Sequence, residues 1–237
     1  MRDAWRMAGF WAASALLPDG WARGVLIEVD AAGDIAAVTP GAAAPGRARR
    51  LSGHVIPGVP NLHSHAFQRA MAGGAERRGP AGRDSFWTWR ETMYRFVGLF
   101  SPEDAEAVAA QLYAELLEHG FTSVAEFHYL HHQPDGTPYD DLAEMAKRHL
   151  AAARRAGIGM TLLPSLYRYG GIFGVAPHEG QRRFLNDVDR FLRIVESARS
   201  TVGDDPQVAL GVAPHSLRAC SPEMLREVAG FDGPVHM

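Results

Sequence analysis

Val55-Ile56-Pro57-Gly58-Val59-Pro60-Asn61-Leu62-His63-Ser64-His65 decides how this chain is read. It is an apolar, extended run that ends in two histidines one residue apart. In a strand alternate side chains share a face, so His63 and His65 point the same way and can grip one cation, while Ser64 points the other way. Imidazole nitrogen suits Zn²⁺ first among the catalytic metals, with iron and nickel after it. The plain alternative is a pair of partly exposed loop histidines. The position of the pair, after Pro-Gly and before a glycine-bearing loop, is where a catalytic metal would be held.

Residues 55 to 237 alternate strand and helix, which predicts βα units on a parallel sheet. Ser101-Pro102-Glu103-Asp104 supplies an N-cap, a proline at the first helical position and early acids, and Gly120 closes that helix. Residues 121–129 read as a buried strand, 139–156 as a helix and 158–166 as the next strand. Residues 178–200 read as one amphipathic helix, 207–213 as a strand, and Ser221-Pro222-Glu223 opens a helix that ends at Gly230. Residues 234–237 start a fifth strand. Before residue 55 the pattern is all β: 10–17, 24–30 and 34–39 read as strands, with Asp30-Ala31-Ala32-Gly33-Asp34 as a hairpin turn. The expected division is therefore 1–54, part of a small β-domain, and 55–237, an α/β unit.

Composition narrows the class. Apolar residues are 46% and charged residues 22% of the chain, ordinary globular usage. No apolar stretch reaches the ~20 residues that span a bilayer, and Met1–Arg6 opens no clear signal peptide. The single cysteine, Cys220, excludes a disulfide framework and fits a reducing compartment. A net charge of −3 without a basic cluster argues against nucleic acid as partner. A cytoplasmic protein is expected, with neither nucleic acid nor membrane as partner.

The run Pro57-Gly58-x-x-Asn61-x-His63-x-His65 resembles the first-strand metal motif of the amidohydrolase superfamily. Three further blocks are similar to formimidoylglutamate deiminases: His63-Ser64-His65-Ala66-Phe67-Gln68-Arg69-Ala70-Met71-Ala72-Gly73; Asp84-Ser85-Phe86-Trp87-Thr88-Trp89-Arg90 with Met93-Tyr94; and Ala213-Pro214-His215-Ser216-Leu217-Arg218-Ala219. The resemblance implies an α/β fold: the N-terminal part, about strands 1–5, of a (β/α)₈ TIM-like metal-dependent hydrolase barrel, preceded by a small β-sandwich-type segment. It also implies a chain cut at strand 5. His236 falls on the family's non-ligand histidine, and the later metal ligands and acid/base residues lie past Met237. No catalytic residue is expected within the chain, and a fragment inactive by itself is expected.

Polar residues recur at the carboxyl ends of the expected strands, the rim where barrel chemistry sits. His63 and His65 follow the first strand. Glu126, His128, Tyr129, His131 and His132 follow the second, Tyr167, Arg168 and Tyr169 the third, and His215 and Arg218 the fourth. The resemblance implies that His63 and His65 bind one divalent metal, Zn²⁺ or iron, and that Gln68, Arg90, Tyr129, His215 and Arg218 bind substrate. Plainer roles compete: a helix-start hydrogen bond for Gln68, a surface ion pair for Arg90, strand-end packing for Tyr129 and a solvated loop cation for His215 or Arg218. A guanidinium offers paired donors that match a carboxylate, which favours the clamp for Arg90. Nothing in the resemblance makes His128, His131 or His132 ligands. Trp87 and Trp89 read as packing, and Cys220 as inert.

The implied reaction is hydrolysis of N-formimino-L-glutamate, a dicarboxylate of histidine degradation, to N-formyl-L-glutamate and ammonia, by a homodimer at full length. A metal lowers the pKa of its water toward ~7, and the amidine nitrogen leaves once protonated. Two other readings stay open. One is another amidohydrolase deaminase, acting on a guanidino or heterocyclic substrate; the other is a non-catalytic, truncated half-barrel with an open strand edge. A nucleobase deaminase of the other zinc fold needs Pro-Cys-x-x-Cys, which one cysteine cannot supply.

Overall fold

The computed structural model describes residues 9–75 and 85–237. Met1–Arg6 and Asp84 of the stretches read above lie outside these, as does the side chain of Trp87. The chain forms two compact units, 1–58 and 59–237.

In the first unit β1 (Gly9–Leu17), β2 (Gly20–Val29), β3 (Ile35–Thr39) and β4 (Arg49–Val55) make one mixed sheet in the order β3-β2-β1-β4. The expected hairpin joins β2 to β3. Asp30 Oδ1 accepts from the amides of Ala32 (2.8 Å) and Asp34 (3.0 Å), and Gly33 takes the positive φ of +97° that the turn demands.

The second unit opens with β5 (Val59–Ser64). The run at 55–65 is therefore not one strand. Val55 ends β4, and Ile56-Pro57-Gly58 separates it from β5. Pro57 has no N–H to give a ladder and restricts the residue before it, so the break falls there. Strands β5, β6 (Phe121–His128) and β7 (Gly159–Leu166) then pair in parallel, in that order.

The fourth position beside β7 is split into β8 (Val208–Leu210) and β9 (Ala213–Pro214), where a single strand over 207–213 was expected. Met160 pairs with Val208 and Ser165 with Ala213, so the register is unchanged across the gap. Gly211 sits in it: a Cβ there would lie 2.5 Å from the Pro234 carbonyl oxygen. The expected fifth strand is present as one parallel bridge, Val212 to Val235, held by Val212 N–H to Pro234 O and His236 N–H to Val212 O, each 2.9 Å.

Helices α1 (Phe86–Val97), α2 (Pro102–Glu118), α3 (Glu144–Ala156), α4 (Val188–Val202) and α5 (Pro222–Val228) complete the unit. The Ser-Pro starts are observed. Ser101 Oγ accepts from Asp104 N–H at 3.1 Å while Asp104 returns a bond to Ser101 N–H at 3.0 Å, and Ser221 Oγ caps α5. Two expected helices are corrected. Residues 139–143 are not helical, and α3 starts at Glu144. The helix expected over 178–200 is a 3₁₀ turn, Glu179–Phe184, followed by α4. Leu185 is extended between them (φ −76°, ψ 122°), and Asp187 caps α4 by accepting from Arg190 N–H at 2.8 Å. An aspartate that caps a new helix start cannot sit inside a continuous one.

Alternation along β6 divides the core. Val124, with Tyr113, Leu150, Met160 and Leu162, packs toward α2 and α3; Phe127 and Tyr129 pack with Phe67, Leu163, Tyr167 and Phe184. Arg183 is fully buried and its guanidinium holds main chain together. It donates to His132 O (2.7 Å), Phe100 O (3.0 Å) and the Val97 carbonyl at the end of α1.

Candidate active site

The site gathers where β5, β6, β7 and β9 end. His63 lies in β5, and His65 follows it at the head of a 3₁₀ turn, Ala66–Met71. Their Nε2 atoms stand 3.1 Å apart, and His63 Nδ1 stands 2.9 Å from His236 Nε2. His65 Nδ1 is 2.7 Å from the Phe127 carbonyl oxygen, an atom that can only accept, so Nδ1 carries the hydrogen and Nε2 offers its lone pair. Burial holds His65 neutral, with its pKa lowered to about 4, and lowers that of His63 as well. Behind the pair, Glu126 is fully buried and its Oε1 accepts from Ala66 N–H at 2.8 Å. Burial raises its pKa to about 7.

Gln68, Arg90, Tyr129, His215 and Arg218 line a single cavity of about 250 Å³ together with His65. Gln68 Nε2 donates to the Tyr129 hydroxyl at 3.1 Å, and that hydroxyl turns its hydrogen to Met93 Sδ at 3.6 Å. Arg90 lies over the rings of Tyr94 (5.6 Å) and Phe86 (6.0 Å). Arg218 Nε is buried and, among the described residues, without a hydrogen-bond partner, a charged donor in want of an acceptor. His215 is no solvated cation: burial, then Arg218, lowers its pKa to about 3, and its Nδ1 sits 3.0 Å from Ser216 Oγ. Trp89 is part of the cavity wall.

The other histidines of the β6 end are packed within the fold. His132 Nε2 contacts Leu185 O and Asn186 Oδ1 at 3.0 Å each, and His131 Nε2 contacts Ser165 O at 2.8 Å. His128 packs against His149 of α3, with ring centroids 5.2 Å apart. Among the described residues, no group of three or more His, Cys, Asp or Glu is arranged to hold a metal, so the His63–His65 pair carries that reading. Cys220 is buried and donates to Leu166 O at 3.0 Å, in keeping with an inert thiol.

Three residues at or behind the cavity were given no binding role from the sequence. Tyr94 and Tyr167 line the same space, and Gln181, buried behind them, donates to the Tyr167 hydroxyl at 2.7 Å. Tyr167 carried a signal, its place after a strand end, and Tyr94 lay in a matching block. Gln181 carried none.

Residues 54–231 match the profile of the amidohydrolase family, and the chain belongs to that family. Residues 7–52 match the profile described as the N-terminal domain of formimidoylglutamate deiminase HutF. A formimidoylglutamate deiminase of Pseudomonas aeruginosa is 51% identical over 234 residues, covering 98% of this chain and 51% of the relative. An 8-oxoguanine deaminase of the same organism is 25% identical over 74% of this chain and 36% of its own length. The crystal structure of an amidohydrolase from Brucella melitensis superposes with a TM-score of 0.91 at 52% identity, covering 97% of this chain and 51% of that one. A zinc-bound adenosine deaminase from Xanthomonas campestris, at 18% identity and TM-score 0.68, covers 98% of this chain and 48% of its own, and shares the fold. The fold is α/β, the N-terminal part of the family's barrel, and the chain spans about half the length of the P. aeruginosa deiminase it matches.

Proposed function

We propose that these residues form the metal- and carboxylate-binding part of a formimidoylglutamate deiminase, which hydrolyses N-formimino-L-glutamate to N-formyl-L-glutamate and ammonia in histidine degradation. Residues 1–54 belong in this reading to its small β-domain and 55–237 to the first half of its barrel. The observation that carries it is the meeting of Gln68, Arg90, Tyr129, His215 and Arg218 in one cavity beside His65. The 51% identity to a deiminase of that name supports it.

The histidine pair fits a divalent metal, zinc or iron. The pKa of each ring is lowered, which favours the neutral form that ligates, and the bond from His65 Nδ1 to Phe127 O orients one ring as a carbonyl partner behind a metal ligand does. When bound, the metal would lower the pKa of a water toward ~7. The chain's own residues have other tasks. Arg218 and Arg90 answer the two negative charges of a dicarboxylate, with Arg218 Nε satisfied by a carboxylate oxygen. Neutral His215 contributes an N–H and not a charge. Gln68 and Tyr129 work as one unit, the amide fixing the hydroxyl. The aromatic wall of Trp89, Tyr94 and Phe184 excludes water, which strengthens each of these contacts. A cytoplasmic location and a homodimer at full length belong to the same reading.

The test has two arms. N-formimino-L-glutamate should bind the zinc-loaded chain, and a protein carrying these residues at the full length of its relatives should release ammonia from it. A protein that releases ammonia from 8-oxoguanine or a guanidino compound and leaves N-formimino-L-glutamate intact would overturn the proposal.

A further inference from the structure

Gln181 is fully buried in the turn Glu179–Phe184, and the order of two of its bonds can be deduced. The His178 main-chain N–H lies 3.0 Å from Gln181 Oε1. A backbone N–H only donates, so that atom is the amide oxygen and the NH₂ group faces the other way. There it donates to the Tyr167 hydroxyl at 2.7 Å. The Tyr167 oxygen is thus an acceptor in this bond, and its own hydrogen must go elsewhere. Among the described residues it has no second hydrogen-bond partner, although Tyr167 is only 3% exposed.

The surroundings say where that hydrogen goes. Tyr167 lines the cavity with Arg90 and Arg218, and its ring packs on His215 with centroids 4.5 Å apart. Burial raises the pKa of its hydroxyl, and the charges of Arg218 and Arg90, which line the same cavity, oppose that rise. Arg218 Nε, buried and unpartnered among the described residues, wants an acceptor in the same space. Two donors without acceptors, one charged and one neutral, thus border one small cavity. Tyr129 is the contrast: it too receives an N–H from a glutamine, but its hydrogen already has Met93 Sδ. A phenylalanine at 167 would pack as well against His215 and Phe184; only the hydroxyl needs the buried amide behind it.

We propose that Tyr167 is a further substrate-binding residue, donating its hydroxyl hydrogen to a carboxylate oxygen that Arg218 also holds, and that Gln181 is the positioning residue that turns the hydroxyl toward it. The proposal rests on the dicarboxylate reading of the cavity.

Calorimetric titration of the zinc-loaded chain tests it, with three probes: N-formyl-L-glutamate and its two monoamides, each with one carboxylate replaced. Tyr167→Phe is expected to weaken the diacid about 10-fold, the scale of one hydrogen bond to a charged group. It should also leave unchanged the monoamide that lacks the contacted carboxylate. Gln181→Met should give a smaller loss with the same ligand pattern, and serves by itself should Tyr167→Phe lose its circular dichroism signal. Equal affinity of variant and wild type for the diacid overturns the inference. So does an equal loss for all three probes, which marks a packing role. Should the wild-type chain bind none of the probes, the dicarboxylate reading fails, and the inference with it.

Discussion

His63 Nδ1 and His236 Nε2 lie 2.9 Å apart although 173 positions separate them in the chain. The contact brings the end of the first barrel strand against the fifth strand position, so the sheet curls enough for its two ends to share one site. Phe127 of β6 fills the space between, 5.2 Å from the His63 ring and 5.8 Å from that of His236.

Metal uptake should depend on the strand-end pair. His63→Ala and His65→Ala are each expected to weaken Co²⁺ binding by about 100-fold or more, against little change for His132→Ala. Visible absorption during Co²⁺ titration reads this directly. Unaltered titration curves for both variants would remove the metal assignment.

Arg218 should recognise charge through its fork. Arg218→Lys keeps the charge but not the paired planar donors, and is expected to lower affinity for N-formimino-L-glutamate about 10-fold. Binding by the lysine variant at wild-type strength would show that charge alone is read.

Arg183 should matter for stability, since removing it orphans the buried carbonyls of Val97, Phe100 and His132. Arg183→Met is expected to cost about 3 kcal/mol in chemical denaturation. A loss under about 1 kcal/mol would mean water takes over those carbonyls.

Acid should destabilise the fold, with one carboxyl working against the trend. His131 and His149 have pKa values lowered by burial to about 3 and about 4, below the ordinary 6.5. Between pH 6.5 and 4 the unfolded chain therefore takes up protons the folded one refuses, and stability falls as pH falls. Glu126, raised to about 7 from the ordinary 4.5, has the opposite sign: its contribution is present below pH 4.5 and lost as pH rises through 7. Melting curves from pH 7.5 to 4.5 should fall, and more steeply for Glu126→Gln, which lacks the compensating uptake. Parallel curves for variant and wild type would contradict this.

Gly211 is required by close approach. In Gly211→Ala the new methyl would meet Pro234 O at 2.5 Å and Leu163 Cδ2 at 2.6 Å, with an expected loss of about 1–3 kcal/mol. A neutral effect in thermal melts would mean that the 233–236 segment moves aside at little cost.

What could be read from the chain alone followed from chemistry local in sequence. Ser101-Pro102 and Ser221-Pro222 start helices because a cap is made within four consecutive residues, and the 30–34 hairpin needs only an aspartate and a glycine. The 178–200 segment was misread because apolar periodicity runs through Leu185 and Asn186, where the chain turns extended. The aromatic block at 84–94 was read as a motif, and its helix, α1, was not expected. Gln68, Arg90, Tyr129, His215 and Arg218 were legible through resemblance, and the fold brings them together. Gln181 was not, because its use depends on a tyrosine 14 positions away and on which way an amide faces.

The partner that orients His65 is a main-chain oxygen, supplied by Phe127. No codon change at 127 deletes a carbonyl, so the protonation of that ring is sheltered from point mutation in a way a side-chain partner would not be. Substitution at 127 can reshape the packing between the histidines while leaving the ring's hydrogen where it is. Over long divergence that position is free to tune the site's interior without moving the hydrogen on His65.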